Sequence, residues 1–243
     1  MRFRLLAIFA DVHANDAALG AVLAAAQALG ATEFVSLGDV AGYHCGLDEC
    51  VAMLHDRRAV NLLGNHDSYF LGLSFPTRSE TARAAIEYQR AAASPATVAW
   101  IAASVAGIDD GVLSMVHGGW RDSTDEYLYR LEPHYFQSLP ERLLFSGHTH
   151  VQGIWTVGGR TYCNPGSVGQ PRDGDPRTAF ATWDGKRVRL HRVGYDIESF
   201  CERMSKAGFP ERAFRNLRSG TRVGGGVSTV VVAGTKLYQP DDG

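Results

Sequence analysis

The first third of the chain alternates short apolar runs with stretches of helical periodicity. Three runs have the length and continuity of buried strands: residues 5–10, 34–37 and 59–63. The two stretches between them, 16–29 and 47–55, place apolar residues on one face of a helix, and Asn15 is the predicted N-cap of the first. The order β-α-β-α-β is typical of a parallel or mixed sheet with helical crossovers.

The pattern changes between residues 68 and 107, where no strand is predicted. The stretch 77–80 has the spacing of a capping box and predicts a helix to about residue 93. Ser94 and Pro95 have the order typical of the start of a second helix. Two helices inserted into a strand-rich chain predict a small helical cap over a cleft.

Strand character returns in the second half of the chain. The predicted strands are residues 112–116 and 143–145, the hairpins 154–157 with 161–163 and 180–183 with 187–191, and a tail strand at 228–232. Residues 120–140 are predicted to form a loop-helix connection, and residues 196–206 a helix. We expect a single domain over residues 1–243, with 68–107 as the helical cap and 196–243 as a C-terminal helix and tail.

Composition and charge narrow the class of protein. The 243 residues are 45% hydrophobic and 21% charged, which is ordinary for a globular protein. A net charge of −2 gives no overall basic field, so nucleic acid is not a favoured partner. The run 5–10 is too short to span a membrane and leads directly into Asp11 and His13, unlike a signal peptide. We therefore expect no membrane partner, a cytoplasmic location and, without a CxxC pair, no disulfides.

Five polar motifs each close a short apolar run. They are Asp11-Val12-His13, Gly38-Asp39, Gly64-Asn65-His66-Asp67, Val116-His117-Gly118 and Gly147-His148-Thr149-His150. Strand ends are where α/β proteins usually place their sites. Carboxylate, imidazole and amide oxygen together suit Mn²⁺, Fe²⁺ or Zn²⁺ better than Ca²⁺, which prefers oxygen ligands alone. The motifs therefore predict a metal site.

In this order, the five motifs resemble those of the calcineurin-like metallophosphoesterase superfamily. Residues 164–174 look like the corresponding stretch of its small bacterial phosphodiesterase branch, so the resemblance covers most of the chain. It implies an α/β (α+β) fold: a four-layer α-β-β-α sandwich of two mixed β-sheets flanked by helices.

The resemblance also implies a set of metal ligands. One ion would be held by Asp11, His13, Asp39 and His150, and the other by Asp39, Asn65, His117 and His148, with Asp39 as the bridge. This set is too large for one tetrahedral ion but suits two divalent ions about 3.5–4 Å apart. We expect Mn²⁺, with Fe²⁺ and Zn²⁺ as alternatives.

His66 lies outside that ligand set. In the resembled family the matching histidine protonates the leaving oxygen or stabilises its charge, which implies a catalytic His66. The implied reaction is in-line attack on a phosphoester by hydroxide held between the two ions. His44 and Asp67 are both candidates to orient His66.

The loop at residues 164–174 has two interpretations. Its glycines and prolines are sufficient to shape turns, so its role can be structural alone. Alternatively, Arg172, or Arg177 just beyond the loop, binds substrate phosphate through its guanidinium fork.

Three functions remain open from the sequence. The first is a metal-dependent phosphoesterase, a phosphodiesterase or phosphatase, that acts on a small soluble phosphoester. The second is a dinucleoside polyphosphate hydrolase. The third is a non-catalytic metal-binding interaction scaffold, although a scaffold is free to lose metal ligands or His66 and this chain has all of them. Whether the chain forms a homo-oligomer is also left open.

Overall fold

The computed structural model of the protein describes residues 5–75 and 79–234. Its strands are β1 (Leu5–Phe9), β2 (Ala31–Ser36), β3 (Val60–Asn61), β4 (Ile108–Asp109), β5 (Leu113–Met115), β6 (Arg130–Leu131), β7 (Leu143–Phe145), β8 (Gly153–Val157), β9 (Arg160–Asn164), β10 (Thr178–Trp183), β11 (Val188–Val193) and β12 (Val231–Val232). Its helices are α1 (Asp16–Ala28), α2 (Leu47–Asp56), α3 (Asn65–Leu71), α4 (Glu80–Ala92), α5 (Pro95–Ala102), α6 (Pro133–Gln137) and α7 (Ile197–Lys206), with 3₁₀ turns at Glu211–Ala213 and Arg215–Arg218.

Two five-stranded mixed sheets form the centre of the molecule. The first has the order β11-β10-β1-β2-β3, in which β1, β2 and β3 are parallel and β10 is antiparallel to β1. The second has the order β4-β5-β7-β9-β8, in which β5, β7 and β9 are parallel and the two edge strands are antiparallel. Parallel neighbours need crossover connections, and α1 and α2 provide them in the first sheet. The predicted β-α-β-α-β start is confirmed.

Successive strand residues face different apolar cores. Phe9 packs against α1 and α2 on the outer face of the first sheet, whereas Ile8 packs between the sheets with Phe145. On the second sheet, Leu144 faces outward and packs with Phe136 of α6. Burying each such side chain contributes about 1.5–3 kcal/mol, so the alternation determines which face each strand presents. The predicted four-layer sandwich of two mixed sheets is confirmed.

The motif that starts at Gly64 begins a helix, where the sequence pattern indicated a strand ending in a glycine turn. Strand β3 contains only two residues of the predicted run, and α3 follows with Gly64 as its N-cap. The Asp67 carboxylate accepts the Gly64 N–H at 3.3 Å, which closes the first turn. Residues 65–70 are all buried, so the helix has no exposed polar face that would make it recognisable in the sequence.

The predicted cap corresponds to α4 and α5. Ser79 is the N-cap of α4 and accepts a hydrogen bond from the Ala82 N–H, while the predicted start at Thr77 lies outside the described residues. Gln89 of α4 bonds to both backbone groups of Gly42, in the loop after β2. At the start of α5, the Ser94 N–H donates to the Asp48 carboxylate of α2. The assignment of these helices as a cap within one domain stays a prediction.

The C-terminal part of the described chain packs against both halves of the fold. Helix α7 is confirmed, and its Phe200 and Met204 form a buried cluster with the 3₁₀ turns. The predicted tail strand is shorter than expected: β12 pairs in parallel with β6 through two residues. Residues 235–243 of the predicted tail lie outside the described residues.

Two further features bear on the expectations from composition. No helix within residues 5–75 and 79–234 is long and apolar enough to cross a membrane. The cysteines are all free, and burial raises the pKa of the Cys50 and Cys163 thiols well above their usual range. These two thiols therefore pack as small apolar groups.

Candidate metal centre

The carboxyl ends of strands from both sheets meet at one buried polar site. The seven predicted ligands follow β1 (Asp11, His13), β2 (Asp39), β3 (Asn65), β5 (His117) and β7 (His148, His150). All seven are buried, with exposed fractions of 6% or less. Parallel strands deliver their carboxyl ends to the same edge of a sheet, which is why residues distant in sequence converge here.

One group of ligand atoms combines Asp11, His13 and His150. Nε2 of His13 lies 3.2 Å from Nε2 of His150, and the latter lies 3.5 Å from an Asp11 carboxylate oxygen. Ligand atoms that each sit ~2.0–2.2 Å from a common ion are separated by distances of about this size. The three side chains can therefore hold one ion.

A second group combines Asp39, His117 and His148, with Asn65 beside them. Nε2 of His117 lies 3.1 Å from Nδ1 of His148, 3.2 Å from the Asn65 side-chain oxygen and 3.4 Å from an Asp39 carboxylate oxygen. The same Asp39 oxygen lies 3.8 Å from Nε2 of His13, which belongs to the first group. Asp39 therefore occupies the position between the groups that a bridging carboxylate needs.

The ring nitrogens that point away from the ligand groups also have protein partners. Nδ1 of His13 donates to the Ala41 carbonyl at 2.9 Å, and Nδ1 of His117 and His150 donate to backbone carbonyls at 2.9 and 2.6 Å. These bonds fix the tautomer and leave the Nε2 lone pair directed at the group. His148 is reversed: its Nδ1 joins the group, and its Nε2 lies 3.3 Å from an Asp125 carboxylate oxygen.

Burial determines the protonation of these side chains. It lowers the pKa of His13 and His150 well below the usual range, so both are neutral, ligand-ready imidazoles at pH 7. Burial opposes ionisation of Asp39, but the positively charged His117 ring beside it holds the pKa of Asp39 well below its usual range. Burial likewise opposes the charge on His117, but the Asp39 carboxylate raises the pKa of His117 to about 9, so an ion in the second group would have to displace this proton. Burial raises the pKa of Asp11 to about 7. A cation in the first group would favour the ionised form of Asp11.

Most of the predicted ligands have a left-handed backbone conformation. Asp11, His13, Asp39, His148 and His150 have φ between 48° and 65°. This conformation costs a residue other than glycine about 1–2 kcal/mol, so the surrounding structure must impose it. Hydrogen bonds do so: the Asp11 N–H donates to the Gly38 carbonyl at 3.0 Å, and the His13 N–H to the Asp39 carbonyl at 2.9 Å. Backbone strain therefore coincides with the ligands.

His66 lies in the first turn of α3, next to both ligand groups. Its backbone N–H donates to the Asp39 carboxylate at 2.8 Å, and its ring centroid lies 4.7 Å from that of His13. These three side chains are also close enough together to hold an ion. Burial lowers the pKa of His66 to about 4, so its imidazole is neutral at pH 7.

Gly42 provides the space that the His66 ring occupies. Gly42 has φ of 98°, and a β-carbon there would collide with Nδ1 of His66. That nitrogen is buried and has no hydrogen-bond partner among the described residues. The rings of Tyr43 and Tyr69 lie 4.8 and 5.4 Å from the His66 ring, centroid to centroid. Ring packing therefore orients His66.

The expectation that His44 or Asp67 orients His66 is wrong, because both side chains are hydrogen-bonded elsewhere. The Asp67 carboxylate accepts the backbone N–H groups of Asp39 and Ala41, each at 2.9 Å. Nδ1 of His44 donates to the His13 carbonyl at 2.7 Å. Both side chains instead position the backbone of the loops that carry the ligands.

Asp125 and Tyr127 reach the site from the connection 120–140, to which the sequence analysis assigned no function. Asp125 approaches the far nitrogen of His148, and the Tyr127 ring centroid lies 3.8 Å from the His148 ring centroid. The Asp122 carboxylate accepts the Asp125 N–H at 3.1 Å and so shapes this turn. The segment has no strand or helix periodicity, and an acidic residue in a loop was its only signal.

The loop after β9 places Arg172 at the site and Arg177 away from it. The backbone N–H of Arg172 donates to the His150 carbonyl at 3.2 Å. The Arg172 guanidinium donates to the Tyr43 hydroxyl, also at 3.2 Å. The Arg177 side chain is 58% exposed and forms an ion pair with Asp175. The structure therefore separates the two arginines that the sequence left as alternatives.

The residues that converge here fit two first-row divalent ions. Imidazole nitrogens, carboxylate oxygens and one amide oxygen point into adjoining groups. This mixture of nitrogen and oxygen donors is typical of Mn²⁺, Fe²⁺ and Zn²⁺ sites. The acceptors behind the imidazoles complete the arrangement that metal-ligating histidines require.

Comparisons with known proteins identify chains with the same organisation. The profile of the calcineurin-like phosphoesterase superfamily domain matches residues 5–186. An uncharacterized protein from Methanocaldococcus jannaschii is 27% identical over 229 residues, which cover 85% of this chain and 94% of that protein. The crystal structure of a metallophosphoesterase from Sphaerobacter thermophilus is 32% identical, with a TM-score of 0.78 over 90% of this chain and 99% of that chain. A hypothetical protein from Pyrococcus horikoshii OT3, 17% identical, shares the fold with a TM-score of 0.78 over 89% and 98% of the two chains.

Proposed function

This chain belongs to the calcineurin-like phosphoesterase superfamily, and we propose that it is an enzyme that hydrolyses a small phosphoester with the help of two divalent ions. The observation that carries the proposal is the convergence of imidazole and carboxylate ligand atoms into two groups with Asp39 between them. We expect the substrate to be a soluble phosphodiester or phosphomonoester and the enzyme to act in the cytoplasm.

Each ion would be held by one of the two groups. Asp11, His13, Asp39 and His150 would bind the first ion, and Asp39, Asn65, His117 and His148 the second. When bound, such ions stabilise charge on phosphate oxygens and lower the pKa of a coordinated water toward ~7. We expect Mn²⁺, with Fe²⁺ and Zn²⁺ as alternatives that the same donor set accepts.

His66 would act on the leaving group. Burial keeps its imidazole neutral at pH 7 in the absence of substrate, and a neutral ring donates only a hydrogen bond from its N–H. The negative charge of a bound phosphate would raise the pKa of His66 and favour the protonated ring, which would give its proton to the leaving oxygen as the ester bond breaks. A positioned acid of this kind typically contributes ~10²–10⁴-fold to the rate. The bond from the His66 backbone to the Asp39 carboxylate fixes the residue relative to the ligands.

Asp125 would position His148. A carboxylate behind a ligating imidazole orients the ring and increases its basicity as a ligand. The 3.3 Å contact with Nε2 leaves Nδ1 of His148 as the nitrogen that binds the ion. Asp125 therefore acts through His148 and needs no contact with the substrate.

The test is a metal-replete hydrolysis screen. Protein stripped with a chelator is reconstituted with Mn²⁺, Fe²⁺ or Zn²⁺ and assayed on phosphomonoesters, phosphodiesters, cyclic nucleotides and dinucleoside polyphosphates. Metal-dependent turnover of at least one class is expected. A preference for dinucleoside polyphosphates would identify that more specific activity. Failure of the fully metal-loaded protein on every class would contradict the proposal and favour a metal-binding scaffold.

A further inference from the structure

Arg172 is a buried arginine without an acidic partner. It is 9% exposed, and no carboxylate among residues 5–75 and 79–234 forms an ion pair with it. Buried arginines are normally paired, because removing an uncompensated charge from water is costly. The exposed arginine in the same region, Arg177, follows the usual rule and pairs with Asp175. The unpaired charge of Arg172 is therefore available to an anionic ligand.

The protein holds the guanidinium by one edge. Its Nε and Nη2 both donate to the Gln170 side-chain oxygen, at 3.2 and 2.8 Å, and Nη2 also donates to the Tyr43 hydroxyl at 3.2 Å. Nη1 has no hydrogen-bond partner in the described part of the chain. A planar group held at one edge presents its remaining N–H groups in a fixed direction, which lowers the entropy lost on binding.

Tyr43 links the guanidinium to the proposed metal centre. The Arg172 guanidinium carbon lies 5.6 Å from the Tyr43 ring centroid, which lies 4.7 Å from the His13 ring and 4.8 Å from the His66 ring. The backbone N–H of Arg172 bonds to His150, the other imidazole of the first ligand group. These contacts place the guanidinium beside the ring that packs against His13 and His66.

We propose that Arg172 is a phosphate-binding residue whose Nη1 donates to an oxygen of the substrate phosphate beside the ligand groups. This inference rests on the proposed hydrolysis of a phosphoester, and it narrows the substrate class. A terminal phosphate carries a charge of about −1.5 to −2 at pH 7, whereas a phosphodiester carries one negative charge. The extra positive charge of Arg172 favours the more highly charged group. The preferred substrate is therefore a phosphomonoester or another terminal phosphate.

The experiment compares Arg172→Gln with the matched control Arg177→Gln in the full-length, Mn²⁺-loaded protein. Both variants remove one positive charge from the same region, but only Arg172 lies at the site. Calorimetric titration with inorganic phosphate should show about 10- to 100-fold weaker binding for Arg172→Gln, the loss expected for a charge-assisted hydrogen bond. Arg177→Gln should bind phosphate within about twofold of wild type, because exposed ion pairs contribute little.

The substrate class is tested with two p-nitrophenyl esters. Arg172→Gln should lower kcat/KM for p-nitrophenyl phosphate at least about tenfold more than for bis-p-nitrophenyl phosphate. Equal losses on both esters would overturn the monoester preference. Unchanged phosphate affinity in Arg172→Gln, at wild-type metal content, would overturn the assignment even if the enzyme hydrolyses esters normally. If no ester is hydrolysed at all, the calorimetry still decides whether Arg172 binds phosphate.

Two further measurements test the same assignment if Arg172→Gln does not fold. Tyr43→Phe removes the hydroxyl that holds the guanidinium and should weaken phosphate binding a few-fold while Arg172 itself remains. A crystal structure of the wild-type protein with phosphate should place a phosphate oxygen within about 3.2 Å of Nη1. Phosphate bound at the metal centre without that contact would contradict the proposal.

Discussion

The two ends of the sandwich contain left-handed backbone for different reasons. At the turns before β2, β5, β9 and β11, positive φ is adopted by Gly30, Gly111, Gly158, Gly159 and Gly185. At the carboxyl ends of β1, β2 and β7, Gly38 and Gly42 adopt it as well, but so do residues with side chains: Asp11, His13, Ala14, Asp39, Tyr43, His148 and His150. Glycine takes this conformation at little cost, whereas an aspartate or histidine does not. The strained end retains side chains that glycine cannot supply.

This contrast associates strain with chemistry rather than with turn geometry. A bridging carboxylate and an imidazole ligand must point from the end of the strand in a defined direction. Backbone hydrogen bonds stabilise the left-handed conformation that gives this direction. Among the described residues, one non-glycine residue, Arg58, is left-handed at the opposite end, where it follows α2. Substitutions at the ligand end should therefore change activity, whereas substitutions at the opposite end should not.

The largest effect is expected from Asp39→Asn. Asparagine tolerates the left-handed conformation and can still accept the His66 N–H, so the change removes mainly the charge between the ligand groups. Turnover should fall by more than the ~10–100-fold that is typical of residues outside the coordination sphere. Steady-state assays measure the fall in turnover, and metal analysis measures the accompanying loss of bound ions. Asp184→Asn, at the opposite end, is the matched control, and equal losses in both variants would remove the distinction between the ends.

His66→Ala should lower kcat by ~10²–10⁴-fold while metal content stays at the wild-type level. The deficit should grow with the pKa of the leaving group, because p-nitrophenolate leaves readily and an alkoxide needs a proton donor. The measurement is kcat on esters spanning leaving-group pKa, at matched metal occupancy. A constant deficit would assign His66 to stabilising the phosphoryl group instead. Loss of metal would make it a ligand, as its proximity to His13 and Asp39 allows.

Asp125→Asn should weaken binding of the ion at His148 by ~10–100-fold, because the imidazole loses the carboxylate behind it. Titration of stripped protein with Mn²⁺ gives the affinity directly. Raising the Mn²⁺ concentration should restore most of the activity, since Asp125 is not expected to contact substrate. Wild-type affinity in the variant would show that the 3.3 Å contact does not position His148.

The smallest effects on activity are expected at the end opposite the ligands. Arg58→Gly should raise the free energy of unfolding by up to about 1 kcal/mol, because glycine suits the left-handed residue after a helix. Gly185→Ala should lower it by about 1–2 kcal/mol for the converse reason. Denaturant unfolding measures both, and activity should not change in either variant. A change in turnover from either substitution would show that backbone strain at this end also serves the site.

Much of the fold follows from local sequence patterns. The apolar runs before Asp11, Asp39 and His117 identify strands because buried parallel strands are continuously apolar. Helix α3 could not be recognised, since it is short and buried on all sides and so lacks amphipathic periodicity. The pairing of β12 with β6 could not be predicted either, because two-residue strands have no periodicity to detect.

The candidate site shows the same division between local and long-range information. The ligand residues lie in recognisable motifs at strand ends, and the structure brings all of them together. The groups that hydrogen-bond to the ligands from behind do not lie in recognisable motifs. Asp125 comes from an irregular connection, and Gln170 contributes its backbone carbonyl to His150. Backbone acceptors and loop carboxylates leave no pattern in the sequence, because their roles depend on tertiary contacts alone.

The central claim is that two ligand groups sharing Asp39 bind two ions. The most direct measurement is elemental analysis of wild-type protein, stripped and reconstituted with saturating Mn²⁺ and then freed of unbound metal. Two ions per chain are expected in the wild type and clearly fewer in Asp39→Asn, because one Asp39 carboxylate oxygen lies 3.4 Å from Nε2 of His117 and 3.8 Å from Nε2 of His13. A firm stoichiometry of one ion at saturation would contradict the claim.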